Sequence, residues 1–191
     1  MSGGTLNPIM MEARRRGVKF DVGHGVGSFW FRNAVPAVKQ GFIPDSISTD
    51  LHTGDLPPRG AGSNFTIVSM VNLISKFRSM GVPLADLIKR STVNPAQEIG
   101  HPELGTLSVG SDADIAILEE RHGRFSYVDC GFARMDGDTQ ISARMTIRAG
   151  RIVFDPSGLS MVEWSKARSR YFTPPLLDGD PSSNADDFPR Y

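Results

Sequence analysis

The sequence predicts an α/β fold built on a parallel sheet or barrel and followed by a small β-domain. Two short apolar strands, within VKFDVGHG and DSISTDLH, are separated by one helix's worth of sequence, and strands joined that way run parallel. The αβ rhythm then repeats, as it does in layered and barrel α/β folds. Beyond Gly100 it gives way to short strands broken by glycine and aspartate turns. A length of 191 residues accommodates one ordinary domain, or one and a half small ones.

Met1 to Pro8 is small and polar and reads as a loop. Helical periodicity begins at Ile9 and Met10, runs through Ala13 and stops at Gly17, behind the basic run Arg14 to Arg16, which suits a solvated helix C-terminus. Val18 to Val22 follows as a strand. With Ser28 as an available N-cap, Phe29, Ala34 and Val38 place a helix ending near Gly41. Pro44 then introduces the strand Ile47 to Leu51.

From His52 to Asn64 the chain is a glycine- and proline-rich loop, in the position where barrels carry active-site loops. Ile67, Met70, Val71, Ile74 and Phe77 have the spacing of an amphipathic helix closed by Gly81. A second helix from Pro83 buries Leu84, Leu87 and Ile88. Asn94, Pro95 and Gln97 predict a third, with Asn94 as N-cap. Leu107, Val109, Ile115, Ile117 and Leu118 then fall in short strands, and Ile141 to Ile147 pairs with Arg151 to Phe154 around Ala149-Gly150. Trp164 to Phe172 reads as a last helix, and Pro174 to Tyr191 has too little apolar surface to offset its ordering entropy. The expected divisions are 1–103 for the α/β part, 104–155 for the β-domain and 156–191 for the helix and tail.

Composition excludes several classes. Lysine plus arginine equals aspartate plus glutamate at 21 each, so no global field favours nucleic acid or an anionic membrane. The one cysteine, Cys130, cannot form an internal disulfide or a thiolate cluster, and its expected role is a strand-packed thiol in a reducing cytoplasm. No apolar run reaches the roughly 18 residues of a membrane span, and no charged-then-apolar leader is present.

The residues suited to chemistry cluster at the two strand ends. Asp50 closes an apolar strand before a long loop, where burial or a nearby cation can hold its carboxylate as a base or metal ligand; the plainer alternative is a turn or N-cap aspartate. His24 lies between Gly23 and Gly25, which let backbone pass close to a ligand, and its spacing from Asp50 puts the two on consecutive strands. A structural, hydrogen-bonded histidine is the alternative. Gly23, Gly25 and Gly27 also invite a dinucleotide-binding reading with Asp50 on the ribose, although the fingerprint's last glycine falls at Ser28 and no second mononucleotide half follows. His52 lines the same rim or enters the loop. Arg59 meets an anionic substrate or is a solvated loop charge, and His101 and His122 sit in surface turns.

The succession ISTDLH, loop, amphipathic helix ending in MG, PLADLIKRSTVNPAQEIG and GTLSVGSDADIAIL resembles the C-terminal part of the amidohydrolase superfamily of metal-dependent hydrolases. FDVGHGVGSFWF with STDLH is similar, more narrowly, to its dihydroorotase-like amidohydrolase/deacetylase branch. The likeness runs from about Ile9 to about Phe154, and its last motif is carried by Gly105, Leu107, Gly110, Ala113, Asp114 and Ile115.

The resemblance implies a partial (β/α)8 TIM-like metallo-hydrolase barrel, its last two strands with their helices, followed by part of a small β-sandwich. It implies Asp50 as the strand-8 aspartate, a metal ligand that accepts the proton of the attacking water and passes it to the leaving group. His24, Gly25 and His52 become substrate contacts. The family's strand-1 H-x-H, bridging lysine and strand-5 and strand-6 histidines have no counterparts among this chain's 4 histidines, so zinc, two ions in a complete enzyme, would not be held by this chain alone.

The expectation is therefore the C-terminal portion of a hydrolase cleaving acyl ester or amide bonds of small molecules, inactive by itself, with an N-terminal barrel segment as its natural complement. Uncovered strand edges would favour self-association. The alternatives are a non-catalytic remnant that docks on a partner chain, or a dinucleotide-binding module.

Overall fold

Asn7 accepts the Ile9 N–H on its side chain at 2.9 Å and starts α1 (Pro8–Arg15), with Pro8 in the first turn where no N–H is needed. In the computed structural model, which describes residues 4–25, 27–51 and 69–166, the helix stops before Gly17, as its pattern predicts. Arg14 departs from the solvated reading. Its guanidinium donates to the Ile43 carbonyl at 2.7 Å and lies 4.0 Å from the Phe42 ring centre, so its arm is packed as well as charged.

The expected strands are present but shorter. β1 (Asp21–Gly23) pairs in parallel with β2 (Ser46–Ser48), Asp21 opposite Ser46 and Gly23 opposite Ser48. Ser46 and Ser48 donate their hydroxyls to the Asp21 carboxylate at 2.8 and 2.6 Å, which fixes the register at one end. Between the strands runs α2 (Phe31–Lys39). Its N-cap position is Trp30 rather than Ser28, and Trp30 makes no side-chain cap. The Phe31 N–H is met instead by Asp129 Oδ2, from far along the chain.

α3 (Met70–Ser79) starts at Ser69, whose Oγ accepts the Asn72 N–H. Leu73 through Phe77 are all buried, so more than one face of this helix is covered. α4 (Leu84–Ser91) buries Leu87, and α5 (Val93–Glu98) begins one residue before the expected cap. Asn94 does not cap it; its side-chain amide donates to the Asp45 carbonyl at 2.6 Å and ties α5 to the entry of β2.

The β-rich part corrects the expectation of short strands. β3 (Ile115–Val128) and β4 (Arg134–Arg148) are long neighbours, and β5 (Arg151–Phe154) completes a three-stranded sheet in the order β3-β4-β5. Leu107 and Val109 are exposed and outside any strand. The β4–β5 hairpin turns at Ala149-Gly150 as predicted, with both residues at positive φ (47° and 77°), the twist that two-residue hairpin loops favour. Of the expected last helix, Trp164–Lys166 forms one 3-10 turn, and the remainder lies outside the described residues.

Two compact units result: the chain up to Ser108 together with Glu120–Ser142, and Val109–Glu119 together with Ala143 onward. The first holds most of the apolar core, with Phe29 set edge-on against Phe31 and Phe77, and Leu73, Val82 and Leu87 fully enclosed. No described helix is long and apolar enough to cross a membrane.

Candidate active site

Parallel pairing brings the carboxyl ends of β1 and β2 side by side and carries the ladder past both strands. The His24 N–H donates to Ser48 O at 3.1 Å and the Gly25 N–H to Thr49 O at 2.9 Å. The chain therefore leaves β2 at Asp50 directly beside Gly25.

Asp50 is exposed and takes a left-handed backbone conformation, φ 52°. Aspartate tolerates that region better than most residues, and such conformations collect at functional sites. Its side chain lies across the glycines of β1. A methyl group added to Gly25 would stand 2.9 Å from Asp50 Oδ2, and one added to Gly23 would stand 3.3 Å from Asp50 Cβ. The GHG turn is thus a floor made of bare backbone under a solvent-facing carboxylate.

His24 points the other way and is fully buried. Its ring stacks on Phe29, centroids 4.6 Å apart and 19° from parallel. Nδ1 lies 2.7 Å from the Gly25 carbonyl and Nε2 lies 2.8 Å from Lys76 Nζ. Both ring nitrogens are engaged inside the protein. Burial pulls its pKa down from 6.5 to about 4; the Gly25 carbonyl opposes that and the Lys76 ammonium adds to it.

Lys76 is itself fully buried in α3 and also donates to Val128 O at 2.8 Å. Burial lowers its pKa from 10.5 to about 8, against the pull of the Asp129 carboxylate. Asp129 is enclosed as well, and it accepts three backbone N–H groups at 2.9 Å each: Phe31 on Oδ2, Gly131 and Ala133 on Oδ1. The acid at the start of α2 opposes a second anion there, which argues against a pyrophosphate in that position.

The strand-end pattern points to His24 and Asp50 but not to Lys76 and Asp129. Lys76 lies on the face of α3 opposite the apolar stripe of Met70, Val71, Ile74 and Phe77, where the sequence pattern predicts solvent, so no local signal marks it as buried. Asp129 bonds the N–H two residues on, an Asx turn of the kind D-C-G suggests. His52 and Arg59 lie outside the described residues. His101 is exposed, with Nδ1 2.8 Å from Glu103 Oε1, and His122 is exposed on β3.

Among the described residues no three or more histidine, cysteine, aspartate or glutamate side chains are placed to hold a metal ion. Asp50 offers one carboxylate and His24 offers no free ring nitrogen. These residues do not fit a metal centre by themselves.

The model of the amidohydrolase family matches residues 31–153, well over half of the chain. This chain belongs to the amidohydrolase family. The member described here is similar to curated deacetylases: 35% identical to one from Brucella anthropi over 126 residues, 66% of this chain. It is 32% identical to one from Agrobacterium fabrum over the same share, and 30% identical to one from Enterococcus faecalis over 77% of this chain. It spans 28%, 28% and 38% of the length of those relatives, respectively. Among solved structures, this amidohydrolase resembles an adenine deaminase (TM-score 0.71, 29% identity, 79% of this chain and 39% of that one). It also resembles a dihydroorotase (TM-score 0.65, 26% identity, 77% of this chain and 38% of that one).

Proposed function

We propose that this chain supplies the proton-transferring carboxylate, and the barrel rim that carries it, to a metal-dependent hydrolase of deacetylase type acting on acyl ester or amide bonds of small molecules. The observation that carries the reading is the Asp50 carboxylate, solvent-facing, in a left-handed backbone conformation and laid over the Gly23 and Gly25 floor at the ends of two parallel strands. Family membership and the deacetylase relatives support the choice of reaction.

In this reading Asp50 accepts a proton from the attacking water and returns it to the departing alcohol or amine, a relay worth about 10²–10⁴ in rate. The side-chain-free floor leaves room for an acyl group close to the backbone. Zinc is the ion the resemblance implies. The described residues offer it Asp50 alone, and the remaining ligands would come from barrel strands other than β1 and β2. The single cysteine and the absence of a net charge support a cytoplasmic setting and a small-molecule substrate.

The test joins the full chain to the complementary upstream portion of the Brucella anthropi deacetylase. The purified complex is assayed with zinc on acetyl esters and N-acetyl amides. Wild-type chain is expected to restore hydrolysis and Asp50→Asn to lower it by about 10² or more. An assembled pair that is inactive, or one in which Asp50→Asn is as fast as wild type, overturns the reading.

A further inference from the structure

The contact between His24 and Gly25 determines which way the imidazole is protonated. A carbonyl oxygen only accepts, so the 2.7 Å approach of His24 Nδ1 to Gly25 O requires a hydrogen on Nδ1. In the neutral ring Nε2 then carries the lone pair, and a buried lone pair needs a donor. Lys76 Nζ, 2.8 Å away, is that donor, since an ammonium has hydrogens to give and nothing to accept with. The opposite assignment would place an imidazolium against a neutral amine, with the positive charge moved onto the ring stacked on Phe29. Asp129, enclosed nearby, favours a positive charge on either group, while burial brings the ring's pKa down to about 4 and that of Lys76 only to about 8, so the charge stays on Lys76.

The consequence reaches Asp50 in three steps. Lys76 stands on α3, 52 residues from His24, and holds the ring from one side. The ring holds the Gly25 carbonyl from the other, while the Gly25 N–H is held by Thr49 O. Gly25 is therefore fixed at both its peptide groups in the left-handed conformation, φ 46°, that lets its bare Cα lie under Asp50 Oδ2.

We propose that Lys76 is the positioning residue of this site: by donating to His24 Nε2 it holds the Nδ1–H tautomer whose bond to the Gly25 carbonyl fixes the floor under Asp50. The relevance to catalysis rests on Asp50 being the proton-transferring group; the hydrogen-bond chain does not, and it is tested without any activity.

The experiment is a long-range ¹H–¹⁵N correlation on the full chain with labelled histidines at neutral pH, the His24 signals being identified by their loss in His24→Gln. In wild type His24 is expected as a single neutral tautomer, Nδ1 protonated and Nε2 bare. An Nε2–H tautomer, or a doubly protonated ring, overturns the proposal with no variant needed. Lys76→Met, combined with Asp129→Asn so that the buried charge removed is balanced, is expected to lose the single tautomer and to shift the Gly25 amide resonance; Asp129→Asn alone keeps the wild-type tautomer and Gly25 amide. A folded Lys76→Met/Asp129→Asn chain that retains the wild-type tautomer and the wild-type Gly25 amide also overturns it. A merely structural role for Lys76 would change stability and leave the tautomer where it was.

Discussion

Asp129 caps the helix that begins at Phe31, its Oδ2 accepting the Phe31 N–H at 2.9 Å across 98 residues of sequence. The same carboxylate binds the Gly131 and Ala133 N–H groups and faces the buried Lys76, so one side chain ties the β3–β4 turn to α2 and α3. Removing it leaves three buried backbone donors without their acceptor and takes away a negative charge that favours the Lys76 ammonium. Asp129→Ala is expected to cost about 3–5 kcal/mol, since each buried donor left unmet costs roughly 1–3 kcal/mol. Asp129→Asn keeps a carbonyl for Gly131 and Ala133 and sets its amide against the Phe31 N–H, so about half that loss is expected. Urea unfolding at pH 7 measures both, and an alanine variant within 0.5 kcal/mol of wild type, roughly the ordinary surface scatter, would contradict this role.

Much of the fold is legible in the sequence because its signals are local. The stop of α1 at Gly17, the positive-φ turn at Ala149-Gly150 and the consecutive parallel strands follow from residues close together in the chain. The misplaced features share one physical cause. Ser28 and Asn94 have the chemistry of helix caps, but Asp129 supplies the α2 cap from a distance and Asn94 is drawn to the Asp45 carbonyl. Asp50 beside Gly25 is legible from strand order. Lys76 beside His24 is not, since a pairing 52 residues apart is set by how α3 packs and leaves no spacing to read.

The buried pair makes stability depend on pH in two windows. Between pH 4 and 6.5 the unfolded chain binds a proton at His24 that the folded chain refuses, its pKa being lowered to about 4, so stability rises with pH by about 3 kcal/mol across that window. The lowered carboxyl pKa values of Asp45, Asp155 and Glu103 act in the same direction, but from their ordinary range, 3.8 to 4.5, downward. Lys76, lowered to about 8, adds a second rise above pH 8, because the unfolded lysine keeps its proton. Burial raises the Cys130 thiol from 9.0 and works against that gain above pH 9, so the second rise is read between 8 and 9, where about 1 kcal/mol is expected. Urea midpoints from pH 4 to 9 should climb, level off between 6.5 and 8, and climb again. A profile that falls from pH 8 to 9 would show the buried lysine to be unperturbed.

Gly25→Ala isolates the floor under Asp50 from the fold around it. At φ 46° a Cβ costs about 1–2 kcal/mol in backbone strain. Its methyl would also meet Asp50 Oδ2 at 2.9 Å, so the carboxylate must move. Gly27→Ala is the control, since a Cβ there meets nothing within 4 Å. The expected result is a stability loss of about 1–2 kcal/mol for Gly25→Ala, a shift of the Asp50 carboxyl ¹³C resonance, and near-silence for Gly27→Ala on both readouts. In the reconstituted enzyme a displacement approaching 1 Å should lower kcat by about 10², with little change in KM if the floor serves the relay rather than binding. Equal behaviour of the two alanine variants would mean that the Asp50 carboxylate is placed by something other than the backbone beneath it.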